Sequence, residues 1–209
     1  YFIRLGQELG PERVREMAVR LGFGRALNLA DTLSTAAGQL PEAETLTSSG
    51  AFANFCFGQG ELLATPIQIA AMMNTIAAGG IWREPLFLEC TLDETTGEPL
   101  TALAHRGARR VFSAQTARAL RELLASVVTE GTGHEAAPTE GTAAGKTGTA
   151  QTGQFAAGKE LKNYWFAGFY PARNPRYTIV VLQDGQTGPS RTSAAIFAQV
   201  CDALDAAGE

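Results

Sequence analysis

Two runs near the C-terminal end constrain the fold more than any other feature of the chain. They are Asn-Tyr-Trp-Phe-Ala-Gly-Phe-Tyr over Asn163–Tyr170 and Tyr-Thr-Ile-Val-Val-Leu-Gln over Tyr177–Gln183. Aromatic and β-branched residues at this density favour strands. The stretch Pro171-Ala172-Arg173-Asn174-Pro175 between them reads as a turn, so the runs are expected to pair as an antiparallel hairpin. A helix follows in which Ile196, Phe197, Val200 and Leu204 fall on one apolar face. Two or three strands with a helix laid across them make an α+β fold, an antiparallel sheet packed against helices.

Just upstream lies the extended stretch Gly145-Lys146-Thr147-Gly148-Thr149-Ala150-Gln151. The chain has three lysines, Lys146, Lys159 and Lys162, and Lys146 alone sits among small residues with no neighbouring charge. A buried or cleft-facing ammonium is costly without a partner, which suggests a use. A phosphate loop needs four residues between its glycines, whereas Gly141 and Gly145 are separated by three, and Thr147, Gly148, Thr149, Thr152 and Gly153 are poor helix formers. The other mechanism is a Lys-Thr-Gly strand edge in a serine acyl-transferase, where free backbone groups pair with an extended substrate. Lys146 and the Thr149 hydroxyl then hold a carboxylate, the Thr149 N–H helps stabilise an oxyanion, and Gly148 leaves room for the approach. Strand alternation puts Lys146 and Gly148 on one face and Thr149 on the other, so twist or approach at the strand edge must let both line one cleft. The same letters also occur by chance in surface loops, and the tripeptide alone leaves that reading open.

At 209 residues the chain suffices for one substantial domain or two small ones. Its net charge of −4, with both signs interspersed, offers no basic stripe for nucleic acid or anionic lipid. Cys56, Cys90 and Cys201 are too scattered for a disulfide framework or zinc site, and His105 and His134 stand alone as expected surface residues. Neither metal nor cofactor is indicated. The most apolar run, Ile67 to Ile81, is interrupted by Gln68, Asn74, Gly79 and Gly80 and is too short to span a bilayer. The chain is expected to be soluble and to be a piece of something longer, its first residue being Tyr1.

Residues 1–135 read as mainly helical and 136–209 as strands with the closing helix. Residues 1–9 form one helical segment. Pro11 and Glu12 open a second helix with Val14, Met17, Ala18 and Leu21 as core residues, stopped by Gly22 and Gly24. Residues 25–60, rich in Gly, Ser, Thr and Ala, read as loops. Thr65 and Pro66 start a helix expected to be buried on more than one side. Trp82 to Leu92 reads as a strand, and Asp93–Pro99 as the turn of a hairpin. Ser113 caps a further helix with Leu120, Leu123, Leu124 and Val127 as its apolar stripe.

Several of these segments together resemble one family, the class B penicillin-binding proteins, whose transpeptidase domains cross-link bacterial peptidoglycan. They are Gly58-Gln59-Gly60 with Ala64-Thr65-Pro66-Ile67-Gln68-Ile69-Ala70, then Gly131-Thr132-Gly133, then Gly145–Gln151, then Trp165-Phe166-Ala167-Gly168-Phe169 with Pro171, and the closing helix. Their order is that of the family, and they span nearly the whole chain. The resemblance implies the C-terminal part of a transpeptidase domain of penicillin-binding-protein and serine-β-lactamase-like fold. It implies action on the D-Ala-D-Ala end of stem peptides, acylation by β-lactams, and work on the extracytoplasmic face of the bacterial membrane through an anchor outside this chain. Lys146, Thr147, Gly148 and Thr149 match the family's third motif. Lys146 and Thr149 take catalytic roles, and Thr147, Gly148 and Thr149 line the substrate strand. A serine β-lactamase, a β-lactam sensor and a non-catalytic peptide-binding module share much of this pattern.

One departure matters. The family's nucleophile and base stand as Ser-x-x-Lys, but Ala143, Ala156 and Lys159 occupy the positions three before the lysines. Ser-x-Asn is absent too, since Ala36, Gly50, Ala51, Gln115, Val128, Thr192 and Ala195 stand two after the serines. Both motifs are expected on the N-terminal side, and the isolated chain is expected to be inactive because covalent catalysis needs its nucleophile. In the family, strands from that side complete the sheet beside residues 177–183. An edge left open there invites dimerisation or strand exchange.

Overall fold

The computed structural model describes residues 1–30, 32–46, 48–88, 90–102 and 107–208. They fall into two compact units, Tyr1–Ala71 with Ile81–Val111, and Met72–Gly80 with Phe112–Glu209.

In the first unit, α1 (Phe2–Leu9) and α2 (Pro11–Arg20) form where expected, although Met17 of α2 is 37% exposed rather than core. Residues 25–60 depart from the loop expectation. They carry a small hairpin, β1 (Asn28–Ala30) with β2 (Leu33–Ser34), and a helix, α3 (Ser49–Cys56). The Ser48 hydroxyl caps α3 by accepting from Ala51 N at 3.1 Å. Phe52 and Phe55, one turn apart, bury themselves with Leu46. Gly50 in the first turn and the absence of charged residues concealed this helix. Helix α1 meets α3 at Gly6, where a Cβ would come within 2.2 Å of Cys56 Sγ.

Helix α4 (Pro66–Ala77) starts at Thr65 as expected. Thr65 Oγ1 accepts from Gln68 N at 3.3 Å, and Gln68 Oε1 accepts from Thr65 N at 2.8 Å, a reciprocal capping box. The same fully buried Gln68 donates from Nε2 to Arg25 O at 3.0 Å and Ala37 O at 2.9 Å, so one side chain ties the helix start to two loop carbonyls. Of α4 only Pro66 is exposed, as burial on more than one side requires.

The Trp82–Leu92 segment is two short strands rather than one, because Pro85 lies between them and lacks a ladder donor. The first, β3 (Ile81–Trp82), and the second, β4 (Cys90–Leu92), belong to different sheets. Strand β4 pairs with β5 (Pro99–Ala102) about the expected turn, where Asp93 Oδ1 accepts from Thr95 N at 2.9 Å and Thr96 N at 2.8 Å. Strand β3 pairs with β6 (Arg109–Arg110). The three cysteines are free. His134 is exposed, and His105 lies outside the described residues.

The second unit contains α5 (Ala114–Thr129), capped by Ser113 Oγ at 3.0 Å from Thr116 N. Three antiparallel strands follow in the order β7-β8-β9: β7 (Ala144–Ala156), β8 (Lys159–Tyr170) and β9 (Tyr177–Gln186). The chain closes with α6 (Ser193–Ala206). The hairpin of β8 and β9 is the one expected from their composition. The expected faces hold in part: Phe197 is buried and Leu120, Leu124, Val127, Ile196 and Leu204 are half-buried, but small residues beside them are buried more deeply than two of the large ones. Leu123 is 66% and Val200 37% exposed, while Ala117 and Val128 of α5 and Ala194, Phe197, Ala198 and Cys201 of α6 are buried. The reason is spacing between elements: alanines let the helices approach more closely than leucine and valine would. Helix α6 packs on β8 through the Phe166 and Phe197 rings, whose centroids are 4.7 Å apart. Gly168 lets it do so, since a Cβ there would lie 3.0 Å from Phe197 Cε2 and 2.3 Å from Ala144 O.

Phe197→Ala is expected to destabilise the second unit by about 3–5 kcal/mol, whereas Leu123→Ala changes stability by less than about 0.5 kcal/mol. Urea denaturation measures both.

Candidate active site

The Lys-Thr-Gly stretch is strand, as the sequence suggested, and it lies on an edge of the β7-β8-β9 sheet. Its pairing is unbroken from Ala144 to Gln151, with Lys146 opposite Ala167, Thr147 opposite Phe166, Gly148 opposite Trp165 and Thr149 opposite Tyr164. Alternation is therefore regular, and Thr147 and Thr149 share the face opposite Lys146 and Gly148. The lysine stem reaches from its own face to the next residue. Lys146 Nζ folds back to donate to Thr147 O at 3.0 Å and Thr147 Oγ1 at 3.2 Å. Lys146 is also exposed, so its ammonium is held by a neighbouring hydroxyl and carbonyl and not by burial.

A residue that sequence reasoning left out of the site joins it. Thr132 Oγ1 lies 3.3 Å from Thr147 Oγ1. The flanking glycines make this contact. A Cβ on Gly131 would come 2.9 Å from Val127 O, and one on Gly133 would come 2.9 Å from Val127 Cγ1, so the turn after α5 closes tightly and leaves Thr132 exposed beside β7. The Gly-Thr-Gly repeat between a helix end and the strand was the available signal. Lys146, Thr147 and Thr132 thus form a chain of one ammonium and two hydroxyls. The ammonium occupies an acceptor position on Thr147, which leaves that hydroxyl's own proton to be donated onward. An edge built this way presents donors and positive charge, the chemistry that receives a carboxylate.

Two kinds of glycine stand along this strand. A Cβ on Gly145 would meet the Phe166 ring at 2.5 Å, so the fold itself forbids one. A Cβ on Gly148 would find its nearest neighbour, Trp165 Cβ, at 3.3 Å, a tight contact but a milder one than at Gly145.

The approach to β7 is clamped by α6. Asp202 accepts from Thr139 N at 2.7 Å and from Thr139 Oγ1 at 3.0 Å. Tyr170 OH hydrogen-bonds Asp205 and lies 3.3 Å from Glu140 O, while Ala172 N donates to Thr142 O at 2.7 Å. The Asp205 hydrogen bond, with burial next, pushes the Tyr170 phenol up to about 12. Among the described residues no group of three His, Cys, Asp or Glu side chains is placed to hold a metal ion, and no helix is long and apolar enough to cross a membrane.

The family pattern described as "Penicillin binding protein transpeptidase domain" matches residues 1–202. The chain belongs to this family. The penicillin-binding protein PbpB of Mycolicibacterium smegmatis is 34% identical over 217 residues, which cover 97% of this chain and 33% of that protein. The peptidoglycan D,D-transpeptidase FtsI of Escherichia coli K12 is 31% identical over 188 residues, 87% of this chain and 29% of that protein. A crystal structure of penicillin-binding protein 3 from Mycobacterium tuberculosis, complexed with aztreonam, matches with a TM-score of 0.84 at 31% identity, covering 99% of this chain and 48% of that one. The chain accordingly spans about a third of the length of these curated relatives. The α+β fold expected from the hairpin and helices is the fold of penicillin-binding transpeptidase domains.

The Tyr170 clamp has a measurable signature in this transpeptidase domain. The folded state holds the neutral phenol to about 12, while the unfolded chain releases its proton near 10. The contribution is fully present below about 10 and is lost as pH rises towards about 12, so stability falls across that window. Tyr170→Phe flattens the slope, as read from urea midpoints at successive pH values.

Proposed function

We propose that this chain is the C-terminal part of a serine D,D-transpeptidase that cross-links peptidoglycan stem peptides. The observation that carries the reading is the donor edge of β7, with Lys146, Thr147 and Thr132 in hydrogen-bond contact, in a chain of the penicillin-binding transpeptidase family. The stem peptide ending in D-Ala-D-Ala lies along β7 as an added strand. Lys146 acts as the cation of the hydrogen-bond network, Thr149 receives the terminal carboxylate and contributes its N–H to the oxyanion, and Thr147 and Gly148 line the substrate strand. Gly148 fits this role because its missing side chain leaves the strand's backbone open to close approach. The nucleophilic serine attacks the carbonyl of the penultimate D-Ala, and the bond to the last D-Ala breaks with release of that residue. An amine of a second stem peptide then takes the acyl group and the serine regains its proton. That serine belongs to a Ser-x-x-Lys outside this chain, so the isolated chain is inactive. The complete protein works outside the cytoplasmic membrane, bound to it through an anchor beyond this chain.

Joining upstream residues that carry Ser-x-x-Lys and Ser-x-Asn to this chain is expected to give a covalent adduct with labelled penicillin, and this chain alone none. A folded joined protein that retains both motifs and takes no label refutes the enzyme reading and leaves a peptide-binding module. Rapid hydrolysis of the adduct points instead to a β-lactamase, and a long-lived adduct without transpeptidation to a sensor. In the labelling protein, Lys146→Met lowers the acylation rate about a hundredfold, and Thr132→Val lowers it about fivefold, the loss of one neutral hydrogen bond.

The opposite edge of the sheet supports a second expectation. Strand β9 has no further strand beyond it among the described residues, and Ile179, Val180, Val181 and Leu182 are half-buried along it. This chain pairs there with a second copy, as a dimer or by strand exchange. Concentration-dependent association in analytical ultracentrifugation supports the pairing, and a monodisperse monomer at high concentration refutes it.

A further inference from the structure

A cationic cluster in the first unit has no part in the Lys-Thr-Gly edge. Trp82 is 2% exposed and donates its indole N–H to Leu21 O at 3.0 Å. Two guanidinium groups lie over its ring, the Arg109 carbon 4.1 Å and the Arg25 carbon 4.9 Å from the centroid. Arg109 arrives as the cross-strand partner of Trp82. Its Nη2 donates to Arg20 O at 2.7 Å, and Arg20 Nη2 in turn donates to Val111 O. These contacts fix three arginines in place while using a minority of the five N–H donors that each guanidinium carries.

The charges do not balance. Glu84 pairs with Arg25 at 3.2 Å, and its Oε1 also accepts from Asn28 N at 3.1 Å. Arg20, Arg25 and Arg109 set against Glu84 leave a formal charge of three minus one, or +2, in a chain whose net charge is −4. Burial, and then the charge of Arg25, lower the Arg109 guanidinium from its ordinary value; Arg20 adds to this and Glu84 opposes it. Gathering like charges on one indole costs free energy that a bound anion would relieve.

We propose that Arg25 and Arg109, seated on Trp82, form with the adjoining Arg20 a binding site for a phosphate group. All the cations of the cluster are arginines, whose planar forks bind phosphate oxygens bidentately. A phosphate monoester carries about −1.5 to −2 charges at pH 7, which matches the local excess. A carboxylate carries one charge, and Glu84 already supplies one. The phosphate comes either from a free phosphorylated molecule or from a phospholipid headgroup. The site is independent of the transpeptidase reading.

Calorimetric titration of the 209-residue chain with inorganic pyrophosphate at low salt tests the site, with Trp82 emission as a second signal. Saturable one-site binding that weakens with added salt is expected. Arg109→Gln and Arg20→Gln each weaken it about tenfold, with circular dichroism unchanged, while Arg118→Gln on α5 leaves it intact. Co-sedimentation with phosphatidic acid vesicles, competed by pyrophosphate, assigns the headgroup source; pyrophosphate binding without co-sedimentation assigns the free one. Absence of saturable binding overturns the proposal, as does an equal loss in Arg118→Gln. A hexaglutamate peptide that binds as tightly as pyrophosphate and displaces it also overturns the proposal, in favour of an acidic-peptide surface. Should Arg109→Gln fail to fold, unchanged affinity in folded Arg20→Gln is decisive against it.

Discussion

The close approach of α6 to β8 is the constraint on which the second unit depends. Gly168 has no side chain because Phe197 and the Ala144 carbonyl occupy the space a Cβ would need. Phe166 and Phe197, both fully buried, then fill the interface, each side chain contributing about 2–3 kcal/mol by removal from water. Strand β8 is thereby fixed against the helix, and β7 is fixed by its ladder to β8. The position of the Lys-Thr-Gly edge is inherited through this sequence of contacts. The hydrogen bonds of Asp202 and of the Tyr170 hydroxyl on α6 and β8 secure the same strand a second time, by holding the chain that enters it.

Much of this was legible in the sequence, and the misses share a physical cause. Strands β8 and β9, the turn between them and the caps at Thr65 and Ser113 were readable because each depends on local chemistry: side-chain shape, a hydroxyl in reach of an amide, a proline in a turn. The faces of α5 and α6 were legible only in part, because large apolar residues were weighted above small ones. Helix α6 buries Ala194 and Ala198 beside the expected Phe197 and turns Val200 outward. Helix α3 escaped for a similar reason: its two phenylalanines bury through contacts with Leu46, a partner that no local pattern announces.

The candidate site shows the same division. The extended conformation at Lys146 to Thr149 followed from residue types. The path of the lysine side chain did not, because a four-carbon stem can leave the face on which its Cα sits. Thr132 was read only as part of the Gly-Thr-Gly match and given no place in the site. Its relevance is spatial, fifteen residues from Thr147 in sequence and one hydrogen bond away in the fold.

The two edges of the three-stranded sheet carry opposite chemistry. Along β7 the residues around the motif are Lys146, Thr147, Thr149 and Gln151, and pairing with β8 becomes irregular between Gln151 and Phe155. A cation and an irregularity of this kind discourage pairing between identical edges while leaving backbone groups within reach of a short peptide. Along β9 an apolar row runs from Ile179 to Leu182, and pairing with β8 becomes irregular between Gln183 and Gln186. The two edges thus differ in polarity, hydroxyls and an ammonium along the β7 motif and aliphatic side chains along β9.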